Sequence, residues 1–101
     1  MTRRFVIAAD LLSPDQEKQL KEWLGQGDDS WWHWIGNFWL HTTDNKETKA
    51  GQIRDFIKAM SPASRVLVME FPEDLDWAGS GRKSPKGKNM HDWLKSTWAG
   101  E

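Results

Sequence analysis

The chain of 101 residues has no cysteine, which excludes disulfides, thiol catalysis and thiolate zinc sites. It has no excess charge of either sign: 14 lysines and arginines face 15 aspartates and glutamates, for a net charge of −1. A globally basic nucleic-acid binder is thereby unsupported, and any such binding requires a local patch. No apolar run approaches the roughly 18–20 residues of a membrane span. The opening Met1-Thr2-Arg3-Arg4 is basic, but the apolar run Phe5-Val6-Ile7-Ala8-Ala9 ends at Asp10, too short for a secretory core. A cytoplasmic protein without membrane contact is the expectation. Tyrosine is also absent, and the aromatic content is carried instead by eight tryptophans.

With 38% hydrophobic and 29% charged residues, the composition is that of a globular protein. The length suits a single domain spanning 1–101. Tryptophan is large and semi-polar, so eight of them signal unusual core packing, an interface or a stacking surface.

Residues Arg4 to Ala9 read as a strand buried on both faces. Ser13 is placed to cap a helix, with Pro14 at its first position and Gln16 closing a capping box. Leu20, Trp23 and Leu24 form its apolar stripe, and Gly25 and Gly27 end it. Ser30 to Thr43 favours β structure and contains Gly36-Asn37, which suits a two-residue hairpin turn between strands at 30–35 and 38–43. Asp44, with Glu47 three residues on, is the expected cap of a second helix whose apolar face is Ala50, Ile53, Phe56, Ile57 and Met60, stopped by Ser61-Pro62. Arg65 to Phe71 reads as another interior strand. Residues 79–88 form a polar, glycine-rich loop that is the best candidate for disorder. Asn89 caps a last helix with Met90, Trp93, Leu94 and Trp98 on one face.

The predicted order βαββαβ is the ferredoxin-like pattern of an α+β domain, with both main helices on one face of a four-stranded antiparallel sheet and the first and third strands central. The other face stays open unless the C-terminal helix or a second chain covers it. Pairing around Gly36-Asn37 sets Ile35 opposite Phe38, Trp34 opposite Trp39, His33 opposite Leu40 and Trp32 opposite His41. One face then carries Trp31, His33, Ile35, Phe38 and Leu40, expected beneath the helices. Trp32, Trp34, Trp39 and His41 share the open face. That cluster is either buried against a symmetric partner or the C-terminal helix, or is a stacking platform for a nucleotide or nucleic acid. A register slip of one residue exchanges the two faces.

Three further features carry chemistry. Asp10 ends the first strand centrally; two such carboxylates in a dimer would hold Mg²⁺ and activate water for phosphodiester hydrolysis, while the structural alternative is a cap for the turn before Ser13. His33, His41 and His91 show no metal-ligand spacing, and packing roles compete with general acid–base roles. Arg82, Lys83, Lys86 and Lys88 in the loop form a candidate phosphate clamp without Walker spacing, or a solvated charged segment whose field Glu73, Asp74 and Asp76 offset.

The segments Trp31-Trp32-His33, Phe38-Trp39-Leu40 with Thr42 and Asp44, Ile53-Arg54-Asp55, Leu67-Val68-Met69-Glu70 and Trp77-Ala78-Gly79 resemble small bacterial proteins of the SinR family, distinct from the DNA-binding repressor of that name. These are similar to the VapD and CRISPR spacer-acquisition endoribonuclease group. The resemblance implies a ferredoxin-like fold, a homodimer built around the sheet, and either metal-dependent nuclease activity or a non-catalytic scaffold gripping duplex DNA, with Asp10 at the metal-ligand position. Ala8-Ala9 depart from the nuclease pattern, in which an aromatic residue precedes the aspartate. The leading expectation is therefore a homodimeric, non-catalytic binding module for a nucleotide or nucleic acid that requires no cofactor, using Trp32, Trp34, Trp39, His41, Arg82, Lys83, Lys86 and Lys88. The alternatives are an Mg²⁺-dependent nuclease using Asp10, and a protein-interaction or inhibitor domain with tryptophan anchors.

Overall fold

The computed structural model describes residues 2–72, 78, 90–94 and 98. Seven elements follow one another: β1 (Arg3–Ala9), α1 (Pro14–Leu24), β2 (Ser30–Ile35), β3 (Phe38–Thr43), α2 (Ala50–Met60), β4 (Val66–Phe71) and α3 (Met90–Trp93). The strands form one antiparallel sheet in the order β2-β3-β1-β4. β1 and β3 are central, and the fold is α+β with two main helices. The 79–88 loop lies outside the described residues, and of the expected C-terminal helix one turn is described. No helix among the described residues is long and apolar enough to cross a membrane.

α1 starts where the sequence signals place it. The Ser13 hydroxyl accepts the Gln16 N–H at 3.2 Å, and the Gln16 side chain accepts the Ser13 N–H at 2.9 Å, satisfying two donors that helix geometry leaves open. The Gln16 amide also donates to the Met60 carbonyl at 3.1 Å, tying the start of α1 to the end of α2. α2 differs from expectation. Its N-cap is Lys49, whose N–H is accepted by the Gln52 side chain at 3.1 Å. Asp44 is exposed and does not cap the helix; Asn45 organises this turn instead, taking the Glu47 N–H at 2.9 Å while its own N–H bonds the Thr43 hydroxyl at 3.0 Å. An Asx turn of this kind competes with helix initiation for the same backbone donors.

Both helices cover one sheet face. Phe5, Ile7, Ala9 and Trp39 form a single buried cluster with Leu20 and Leu24 of α1 and Ile53 and Ile57 of α2. Trp23 stacks on Phe56 at 4.4 Å between the helices.

The hairpin register departs from the predicted one. Ile35 pairs Phe38 as expected, but Trp32 pairs Leu40, Trp31 pairs His41 and Ser30 pairs Thr42, with an irregularity between Trp32 and Ile35. Neither Gly36 nor Asn37 has a positive φ. The turn is thus not one of the mirror-image types whose twist matches a hairpin, and β2 absorbs the mismatch in a bulge. One extra residue in β2 inverts the pairing parity beyond it. Trp32 and Ile35, three residues apart, consequently both face away from the helices, and Trp39 and His41 turn toward them.

The outer face is a grid of three rows. Ile35, Phe38, Ala8 and Leu67 form the row nearest the hairpin; Trp32, Leu40, Val6 and Met69 form the middle row; Ser30, Thr42, Arg4 and Phe71 form the last. Leu94 and Trp98 cover the middle of this face, making a second buried cluster with Trp32 and Leu40 against which Val6, Phe38, Phe71 and Trp93 pack. Two polar contacts fasten the segment: the Trp93 indole donates to the Ser30 hydroxyl at 2.5 Å, and the buried Arg4 guanidinium donates to the Trp98 carbonyl. C-terminal residues of the chain itself thus cover the middle of the face.

Candidate functional site

The four sheet residues predicted to share a ligand face are separated. Trp39 is fully buried in the helix-side core, with its ring stacked on His33 at 4.0 Å. His41 is buried on the same side, its Nδ1–H donating to the Ser30 carbonyl at 2.9 Å and its Nε2 lying 3.9 Å from the Asp29 carboxylate. The Thr43 hydroxyl donates to the other oxygen of Asp29 at 2.7 Å. Burial holds the His41 imidazole below its ordinary pKa, against the opposing pull of the Ser30 carbonyl and the Asp29 carboxylate. Trp32 is only 4% exposed beneath the C-terminal segment. Trp34 alone of the four is exposed, at 37%. The expected platform of three indoles and an imidazole is therefore not formed, because the bulge sends Trp39 and His41 into the core and the C-terminal segment covers Trp32. Conversely, Ile35, Phe38 and Leu40, expected beneath the helices, face outward. Arg82, Lys83, Lys86 and Lys88 lie outside the described residues.

Asp10 stands at the end of β1 beside a shallow, open depression of about 260 Å³ lined by Ala8, Ala9, Asn37, Arg65, Val66 and Leu67. Its carboxylate caps the start of β4: one oxygen accepts the Arg65 backbone N–H at 2.7 Å, the other the Arg65 Nε–H at 2.5 Å. These bonds, the backbone one foremost, lower the Asp10 pKa. The role is a cap, as one sequence reading had it, but of the strand opposite rather than of the turn before Ser13. A divalent cation would find here one carboxylate with both oxygens already engaged. Among the described residues, no group of three or more His, Asp or Glu gathers to complete a coordination shell. Among the described residues of this chain, Asp10 is engaged by Arg65; the Mg²⁺ site that the resemblance implies would take its second carboxylate from another chain.

The next residue, Leu11, has φ 60, in the left-handed region that costs a non-glycine residue of order 1 kcal/mol or more, and is 68% exposed.

What sequence reasoning missed is the apolar surface left over. Leu67 is 58% exposed, Ile35 55% and Met69 42%. Together with half-buried Ala8 and Phe38 they occupy the hairpin row and the β4 end of the middle row, beyond the reach of Leu94 and Trp98. Residues 65–71 read as an interior strand because Val66, Leu67, Val68 and Met69 are consecutive apolar residues; such a run shows that both faces are apolar, not that both are covered. Among the described residues β4 is an edge strand, as the expected central placement of the first and third strands implies.

At the helix-facing side of β4, a second open groove is lined by Arg54, Asp55, Lys58, Ser64, Arg65 and Val66; Arg54 pairs Asp55 at 3.0 Å and Arg65 pairs Asp10, which leaves Lys58 as the excess cation. The Arg65 side chain is almost wholly in solvent, and Lys58 donates to the Pro62 and Ser64 carbonyls at 2.7 and 3.2 Å. Comparison with protein-family models, with curated proteins and with solved structures finds no match for this chain.

Proposed function

We propose that this chain is a non-catalytic interaction module, of a ferredoxin-like fold with which the sheet and its two helices are compatible, that holds a protein partner on the open part of its outer sheet face. The carrying observation is the contiguity of exposed Ile35, Leu67 and Met69 with Ala8 and Phe38, next to a covered region that is packed as core. Scattered exposed apolar residues are ordinary, whereas a contiguous set continuous with a buried cluster marks a surface that gains by being covered.

The test is capture from a lysate of the source cells by the full chain and by its Leu67→Asp and Ile35→Asp variants. Leu67 and Ile35 are exposed, so both variants keep the fold. The expected result is a protein retained by the wild type and released by both substitutions. Retention of RNA or DNA that is indifferent to these substitutions, with no protein lost, overturns the reading in favour of nucleic-acid binding elsewhere on the chain.

A further inference from the structure

The free side of β4 has a backbone pattern that matches the exposed side chains. The Asp10 N–H bonds the Arg65 carbonyl at 3.2 Å, so these two residues form a hydrogen-bonded pair. Alternation along an antiparallel ladder then makes Ala8–Leu67 and Val6–Met69 the bonded pairs. The N–H and C=O groups of Val66, Val68 and Glu70 point away from β1. Among the described residues, no strand lies on that side.

Edge strands are ordinarily guarded by inward charges, proline or bulges against pairing with other chains. The opposite edge, β2, has such a guard in the bulge between Trp32 and Ile35. β4 has none between Arg65 and Pro72: Val66 to Met69 are apolar, and the one charge, Glu70, is held by Arg3 through two bonds of 2.9 and 3.0 Å. Charge gathers instead at one end of the edge, where Arg54, Lys58 and Arg65 line the groove; Asp55 pairs Arg54 at 3.0 Å and Asp10 pairs Arg65 at 2.5 Å, so Lys58, which bonds backbone carbonyls, is the cation in excess.

We propose, resting on the protein-binding reading above, that β4 takes up an extended peptide segment of its partner as a fifth strand, with apolar side chains of that segment on Leu67 and Met69 and a carboxylate in the Arg54–Lys58–Arg65 groove. Main-chain bonds to Val66, Val68 and Glu70 supply affinity, and the alternate side chains supply selectivity, as in other strand-addition complexes. A second copy of this chain is a poorer occupant. Antiparallel self-pairing must keep like faces together, so the register centred on Val68 sets Leu67 opposite Met69 but leaves Arg65 opposite Phe71. The register that would match Arg65 with Glu70 puts these two side chains on opposite faces.

The experiment is amide hydrogen exchange on the full chain with a synthetic peptide of about eight residues, alternating valine and threonine with two aspartates at one end. The expected result is slowed exchange at Val66, Val68 and Glu70, roughly fivefold weaker binding when lysines replace the aspartates, and weakened binding to Met69→Lys, an exposed site at which the fold is kept. Three results overturn the proposal: unchanged exchange at those amides under saturating peptide, equal affinity for the lysine peptide, or a dimer in sedimentation that protects the same amides without peptide. Unchanged exchange at β4 together with protein capture that still depends on Leu67 removes strand addition while leaving the interaction reading in place.

Discussion

At the scale of single residues, burial decides chemistry here more than residue type does. His41 is an imidazole with a carboxylate nearby, a pairing that on a surface favours the charged ring. In this protein desolvation outweighs Asp29 and the native state prefers the neutral form. The unfolded chain takes up a proton near the ordinary pKa of 6.5, while the native ring resists it. Below that pH the unfolded state therefore binds more protons, and stability falls as pH drops through and below 6.5. Urea unfolding across this range is expected to show that decline in the wild type and a flatter dependence in His41→Gln. An equal slope in both proteins sinks the assignment. The residue string does not show that His41 is buried, since burial depends on which way its strand faces.

At the scale of elements, local signals are strong where they are closed over a few residues. The Ser13–Gln16 capping box involves only its own turn and is realised as read. Ser13→Ala is expected to lower stability by about 1 kcal/mol and Ser13→Gly by only a few tenths, measured as a shift in the urea midpoint. No difference between the two would mean that the hydroxyl is not the reason the helix starts there. The hairpin strands also fall at the expected 30–35 and 38–43. The face each residue takes was not legible, because a bulge changes parity without changing the pattern of apolar residues, and Trp32, Trp34 and Trp39 suit either side. The start of α2 departs from the sequence pattern for a related reason. Asp44 has the right chemistry for a cap, but Thr43 and Asn45 complete a competing turn first.

At the scale of the whole molecule, the middle of the outer face is covered by residues distant in sequence. Trp98 is 3% exposed and packs with Leu94 on Trp32 and Leu40, while its carbonyl takes a bond from buried Arg4. Trp98→Ala removes that cover and is expected to destabilise the chain by about 3–5 kcal/mol, with tryptophan emission shifting to the red as Trp32 meets water. A loss below about 1 kcal/mol would show that the segment is not part of the cooperative fold. The same packing determines the binding surface by subtraction: what Leu94 and Trp98 leave open is the hairpin row and Met69.

The amino-acid sequence by itself determined the succession of strands and helices, the first helix cap and the amphipathic faces of both helices. These depend on periodicities and bonds that span only a few residues. Only the tertiary structure decided which tryptophans are core, which part of the outer face stays exposed and that Asp10 meets Arg65. Each of these depends on contacts between segments far apart in the chain, and a single inserted residue in β2 is enough to exchange the side on which a ring is found.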